Sequence, residues 1–125
     1  MSKTAISLGA VIRQILLDNE RVKDNVTKIY PIVADNAKRP YAVYRRVSIN
    51  PEWTKWEKAE DRAVFQILIA TEDYESGIEL AENVRECFDG KDLTAYGVED
   101  CKLTNAQETW MDDAYVQDLY FTIKI

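Results

Sequence analysis

The side chains that could support catalysis or metal binding in this 125-residue sequence are carboxylates, because the chain contains no histidine. The absence of histidine excludes Ser-His-Asp triads, Cys-His pairs, histidine zinc sites and the commonest general base. Four scattered glycines also exclude a dinucleotide fingerprint and a phosphate-binding loop. Any catalytic chemistry would therefore rest on carboxylates, as in a carboxylate metal site or a glycosidase pair.

The carboxylates form three short clusters along the sequence: Glu72, Asp73 and Glu75; Glu99 and Asp100; Asp112 and Asp113. The first cluster precedes a helical pattern, and acidic residues stabilise a helix N-terminus through its dipole. The last cluster lies in a predicted hairpin turn, where aspartate is favoured for its local hydrogen bonds. We therefore expect structural roles, no cofactor and no enzymatic activity. The alternative is a carboxylate-dependent enzyme with a divalent metal on Glu72, Asp73 or Asp112.

Two tryptophans and two adjacent arginines are the other candidate functional residues. Trp53 and Trp56 stand in a polar, charged segment outside any periodic core pattern. They either fold back onto the sheet or anchor a protein–protein interface, since tryptophan among charged residues is typical of binding hot spots. Arg45 and Arg46 point to opposite faces of a predicted strand. Each is either solvated near a strand end or paired with acidic groups of a neighbouring subunit.

The composition predicts one soluble, folded domain that covers residues 1–125. Hydrophobic residues make up 46% and charged residues 30% of the chain, which excludes disordered and low-complexity classes. The net charge of −6 disfavours binding to a nucleic-acid backbone, which requires a basic surface. No apolar run is long enough to span a membrane, and Arg13 interrupts the apolar N-terminal segment that a signal peptide would need. Cys87 and Cys101 are predicted to be reduced and buried.

Hydrophobic periodicity predicts the order helix, strand, strand, strand, helix, strand, strand. The first helix covers residues 4–18, and the second lies between a capping Asp73 and a terminating Gly90. Residues 28–33 predict a short strand that is at an edge or ends at Pro31, because proline donates no backbone hydrogen bond. The segment over residues 18–25 is predicted to be a polar connection.

Four further strands follow from alternating patterns. In residues 41–49 the more apolar set is predicted to face the core, and it comprises Tyr41, Val43, Arg45, Val47 and Ile49. A polar and aromatic loop over residues 50–61 precedes a central strand over residues 62–71, which is apolar on both faces. The last two strands flank the turn "MDD". Together these elements predict an α+β fold, with a mostly antiparallel sheet of four to five strands and two helices packed on one face.

Several short motifs occur in a fixed order along nearly the whole chain. They are a first helix, an "IYP" strand, a "PY-x-VY" strand, a helix with "Y-x-x-x-x-x-LA-x-x-VR" and an aromatic-rich last strand. The matching residues are Ile29, Tyr30, Pro31, Pro40, Tyr41, Val43, Tyr44, Tyr74, Leu80, Ala81, Val84 and Arg85. In their order and spacing they resemble the tail-completion family of long-tailed phages and prophages, also described as head–tail joining or tail-terminator-like proteins. The charged segment with Trp53 and Trp56 departs from the family pattern.

The resemblance implies a structural role in virion assembly. Subunits of this family form a ring, expected to be a hexamer, that caps the end of the tail tube and helps to join it to the head. The implied partners are other copies of the chain, the tail-tube protein and head–tail connector proteins, with no sequence-specific nucleic acid and no membrane. The implied location is the cytoplasm of the bacterial host during assembly and then the virion tail. A small protein-binding adaptor outside phages is the alternative.

Overall fold

The computed structural model describes residues 4–34, 37–53 and 58–125, and residues 58–60 by their backbone alone. The helices are α1 (Leu8–Asp18), α2 (Glu20–Lys23) and α3 (Tyr74–Phe88), with 3₁₀ turns at Ala5–Ser7 and Thr94–Tyr96. The strands are β1 (Lys28–Pro31), β2 (Tyr41–Trp53), β3 (Lys58–Thr71), β4 (Asp100–Met111) and β5 (Ala114–Lys124). The predicted α+β class and the order of the five strands are confirmed. Within the described ranges, none of the helices has the length and apolar character needed to cross a membrane.

The five strands form one sheet in the order β1-β2-β3-β5-β4. β1 pairs with β2 in parallel, whereas the other three pairs are antiparallel, so the prediction of a mostly antiparallel sheet is confirmed. β3 is the central strand, as its two apolar faces predicted. β1 lies at an edge and ends at Pro31, which is where a residue without a backbone donor is tolerated.

Helices α1 and α3 pack on the same face of the sheet, as predicted. The buried stripe of α1 consists of Leu8, Ile12, Ile15 and Leu16, and that of α3 of Gly77, Leu80, Ala81, Val84, Cys87 and Phe88. Both stripes belong to one cluster with the inward-facing residues of the strands. At its centre the rings of Phe65, Phe88 and Phe121 lie 5.0–5.2 Å apart. This cluster joins β3, β5 and α3.

The residues predicted to begin and end α3 and to form the last hairpin turn occupy those positions in the structure. The Asp73 carboxylate accepts a 3.0 Å hydrogen bond from the backbone N–H of Ser76, which caps the helix. Gly90 follows the helix with φ of 67°, a left-handed conformation that glycine adopts without strain. Asp112 and Asp113 also have positive φ values, 53° and 58°, and form the two-residue turn between β4 and β5.

The predicted core face of β2 is wrong. Ala42 and Tyr44 are the buried residues on the helix side, whereas Tyr41 and Val43 are half-buried on the opposite face. A bulge between Arg46 and Ser48 shifts the register by one residue. The shift returns Ile49 to the helix side, so strict alternation along residues 41–49 assigned the first half of the strand to the wrong face.

Two predicted connections are also shorter or more ordered than expected. The polar connection after α1 contains α2, which forms because the Asn19 side chain caps it and Val22 is buried. The predicted loop over residues 50–61 is largely strand, since β2 extends to Trp53 and β3 begins at Lys58.

Cys87 and Cys101 are both buried free thiols, as predicted.

Candidate interaction surfaces

The carboxylate clusters are dispersed and fill structural positions. Asp73 caps α3, and its hydrogen bonds from Ser76 lower the pKa of its carboxyl group. Asp112 and Asp113 form the β4–β5 turn, while Asp100 begins β4 at the other end of that strand. Within residues 4–34, 37–53 and 61–125, no group of three His, Cys, Asp or Glu side chains is arranged to hold a metal ion.

Arg45 lies on the face of the sheet opposite the helices. Its Nε–H donates a 2.5 Å hydrogen bond to Oε1 of Gln66 on β3, and the Gln66 amide in turn donates to the Asp118 carboxylate on β5. This polar chain crosses three neighbouring strands, and Gln66 within it is buried. The Arg45 side chain remains exposed at the outer end of this row of hydrogen bonds.

Arg46 points to the helix side, as the alternation of strand residues requires, but it does not enter the core. Its guanidinium reaches the N-terminal 3₁₀ turn, where Nη1 donates to the carbonyl of Ile6 at 3.1 Å and to that of Ala5 at 3.4 Å. Both arginine side chains therefore lie outside the core. The oxygens that they contact directly, those of Gln66, Ala5 and Ile6, are uncharged. Whether either arginine pairs with an acidic group of a neighbouring subunit stays a prediction.

Trp53 is the last residue of β2, and its side chain is 68% exposed. A tryptophan folded back onto the sheet would be largely covered, so this alternative is wrong for Trp53. The interface role predicted for this residue remains a prediction. Trp56 lies outside the described residues.

The outer edge of β2 is covered only at its beginning. β1 pairs with β2 from Tyr41 to Tyr44, and in the described part of the chain no strand continues this pairing towards Trp53. The chain leaves the edge at Ile32, which has φ of 66° and lies at the centre of a turn closed by a 2.7 Å hydrogen bond from Val33 N–H to the Pro31 carbonyl. A positive φ is strained for a β-branched residue. The strained turn leaves Ile32 and Val33 exposed beside the free edge.

A groove of about 590 Å³ runs between the start of α1 and this edge. Ile6 and Ile32 line its apolar part, and Arg13, Arg45 and Arg46 surround it with positive charge. We define the edge patch as the exposed large hydrophobic residues of this region: Ile6, Ile32, Val33, Val47 and Trp53.

A second exposed apolar surface lies where α3 begins and the β4–β5 hairpin turns. The Tyr115 ring packs edge-on against Trp110 at 4.9 Å and against Tyr74 at 5.8 Å. Trp110 remains 57% exposed even so. We define the hairpin patch as the exposed large hydrophobic residues here: Tyr74, Ile78, Trp110, Met111 and Tyr115. Sequence reasoning missed this patch, although "ETW" next to the "MDD" turn marks a tryptophan at a loop tip.

A hydrogen-bond network holds the hairpin patch in place. The Tyr74 hydroxyl donates to the Glu108 carboxylate at 2.8 and 2.9 Å, and the Gln117 amide donates to the same carboxylate at 3.0 Å. These bonds lower the pKa of Glu108, chiefly through Gln117. The carboxylate conversely raises the pKa of the Tyr74 hydroxyl. The network ties α3 to β4 and β5 and keeps Glu108 ionised beside the exposed aromatic rings.

The net charge is unevenly divided between the two patches. Residues 72–86, which include most of α3, contain six acidic residues and one basic residue, so this segment alone has a net charge of −5 in a chain of −6. Residues 28–48, which include β1 and most of β2, contain five basic residues and one acidic residue, a net charge of +4. The edge patch therefore lies beside a basic segment and the hairpin patch beside an acidic one, although Arg39 of the basic segment donates a hydrogen bond to the Asp113 carbonyl in the hairpin turn.

Comparison with known proteins identifies a similar fold. No protein-family description and no curated protein matches the sequence. Among solved structures, a chain of the "Virion of native gene transfer agent (GTA) particle" superposes with a TM-score of 0.81 at 18% sequence identity. The match covers 99% of this chain and 98% of the other, so the two chains share one fold from end to end.

Proposed function

We propose that this protein is a structural component of a phage-like virion, and that it acts at the end of the tail tube. The observation that carries the proposal is the end-to-end fold similarity to a chain of a gene transfer agent virion. The resemblance of the sequence motifs to the tail-completion family supports the same assignment. The proposed role is to form a ring, expected to be a hexamer, that completes the tail and helps to join it to the head.

The surface of the molecule supports a role by contact and not by catalysis. Exposed large hydrophobic residues are concentrated in the edge patch and the hairpin patch, which suits a protein that binds other proteins. The proposed partners are further copies of this chain, the tail-tube protein and head–tail connector proteins. Arg45, Arg46, Trp53 and Trp56 are proposed to lie at these contacts. The protein would act in the bacterial cytoplasm during assembly and remain in the virion tail.

Purified protein mixed with tail tubes tests this function. Analytical ultracentrifugation and negative-stain imaging should reveal rings, or protein bound at tube ends. A protein that stays monomeric and has no affinity for tubes contradicts the proposal and favours an adaptor outside phages.

Substitution of Trp53 and Trp56 by alanine should weaken tube-end binding or ring formation. Because the Trp53 side chain is mostly exposed, Trp53→Ala alone should change the free energy of unfolding by less than about 0.5 kcal/mol. Trp53→Phe keeps a large aromatic ring and serves as the matched control, with assembly close to that of the unchanged protein. Loss of folding in Trp53→Ala would instead place this residue in the core and remove it from the proposed contact.

A further inference from the structure

We propose that the edge patch of one copy docks on the hairpin patch of the next copy, so that the subunits associate head to tail. The inference rests on the proposed function and deepens it, because it names the two surfaces through which copies of this chain meet. Each patch is thus covered by a second copy of the chain.

The distribution of exposed apolar residues is the first observation. In the described part of the chain, all ten exposed large hydrophobic residues fall into one patch or the other, five in each. The patches lie towards opposite edges of the sheet, along β2 on one side and at the β4–β5 hairpin on the other. A two-fold symmetric dimer needs one self-complementary patch, whereas a closed ring needs two different patches that fit each other. The observed arrangement matches the ring.

Charge complementarity is the second observation and identifies the partner. The edge patch is bordered by Arg13, Arg45 and Arg46. In the described part of the chain neither Arg45 nor Arg46 is in an ion pair, although Asp118 reaches Arg45 through Gln66. The hairpin patch is bordered by Glu108, which accepts a hydrogen bond from Tyr74, and by Asp112 and Asp113 of the turn, with Arg39 as the basic residue that reaches this turn. Two edge patches would repel each other, and so would two hairpin patches, because like charges at an interface disfavour association. Only the pairing of unlike patches brings opposite charges together.

The shapes of the two patches also correspond. The groove of the edge patch has a volume of about 590 Å³, and the exposed Ile32 at its turn forms part of the apolar wall. Trp110 projects from the opposite surface as the most exposed aromatic ring of the hairpin patch. Tryptophan and arginine are the residues that most often dominate binding energy at interfaces. We therefore assign Trp110 of one copy as the anchor that enters the groove of the next.

Two variants separate head-to-tail docking from other arrangements. The edge variant is Ile32→Asn with Arg45→Glu. Asparagine tolerates the positive φ at position 32, so this change removes the apolar side chain without adding backbone strain. The hairpin variant is Trp110→Ala with Glu82→Lys, both at exposed positions; Glu82 lies one turn after Ile78 on the same side of α3. Glu79→Lys, on the side of α3 that faces Asn25 and Pro40 and away from the patch, is the control for the charge change.

The result expected from native mass spectrometry is specific to unlike patches. Each variant alone should self-associate at least about tenfold more weakly than the unchanged protein, whereas Glu79→Lys should not. An equimolar mixture of the two variants should form a 1:1 heterodimer that grows no further, because it contains one intact edge patch facing one intact hairpin patch. Added salt should weaken this heterodimer, since opposite charges contribute to it.

Three outcomes overturn the inference. Homodimers of the hairpin variant alone would mean that edge patches pair with each other. Assembly of both variants as strong as that of the unchanged protein would place the contact elsewhere and leave the proposed ring standing. If the unchanged protein fails to self-associate both in solution and on tail tubes, copies do not dock on each other and the inference is wrong. Tube-end binding without self-association would still support the virion role.

Discussion

Removal of the Phe121 ring gives the most direct test of the core. Phe121 is fully buried, and its ring stacks on Phe65 at 5.0 Å and contacts Phe88 at 5.2 Å. Phe→Ala in a packed core costs about 3–5 kcal/mol through lost transfer energy and the cavity that remains. Each aromatic pair adds about 0.5–1.5 kcal/mol beyond its buried area. Because two such pairs are lost, we expect Phe121→Ala to lower the free energy of unfolding by about 4–5 kcal/mol, in the upper half of that range.

Urea denaturation followed by tryptophan fluorescence measures this loss, and the thermal midpoint should fall by roughly 10–20 °C. Phe121→Leu retains most of the volume and should cost about 1 kcal/mol. Tyr120→Ala tests the neighbouring position, which faces the other side of the sheet and is half-buried, and it should cost clearly less than Phe121→Ala. A loss below 1 kcal/mol for Phe121→Ala, or a larger loss for Tyr120→Ala, would refute the register of β5.

The glycines and thiols allow two further predictions. A Cβ at Gly77 would lie 2.8 Å from Oγ1 of Thr71, so Gly77→Ala should destabilise the protein by about 1–3 kcal/mol in urea titrations. At Gly9 the nearest atom to an added Cβ is 3.7 Å away, and Gly9→Ala should stabilise α1 by about 0.5–1 kcal/mol. Equal effects at the two positions would refute the close packing of α3 on β3. Burial raises the pKa of Cys87 to about 11 and that of Cys101 to about 12, so iodoacetamide at pH 8 should modify the folded protein at least about a hundredfold more slowly than the unfolded one. Rapid labelling of the folded state would contradict their burial.

Periodicity predicted most of the fold because the core is built from regular stripes. The α1 and α3 stripes recur at helical spacing, and β3 and β5 alternate without interruption, so their buried faces follow directly from the sequence. The face of β2 could not be predicted in this way. Its bulge at Val47 depends on how the strand pairs with β3, which is a property of the sheet and not of the local sequence.

The interaction surfaces were predictable only in part. Arg45, Arg46 and Trp53 are conspicuous in the sequence because charges and a tryptophan interrupt a strand pattern. Trp110 and Tyr115 follow the alternation of β4 and β5, so they resemble core residues until the layers are known. They are exposed because only the first residues of α3 reach the hairpin end of the sheet, a fact of tertiary structure.

Irregular features occur towards both edges of the sheet, and β2 has several of them along its free side. The left-handed Ile32, the bulge at Val47 and the exposed Trp53 all lie along the free side of β2, whereas α3, β3 and β5 follow the ordinary rules of packing. Local departures from those rules are expected where function requires them, because each one costs stability. Bulges and charged side chains also hinder pairing of a free edge with unrelated strands. The features of the β2 edge therefore disfavour indiscriminate extension of the sheet, and they agree with the proposed docking of this edge through its side chains.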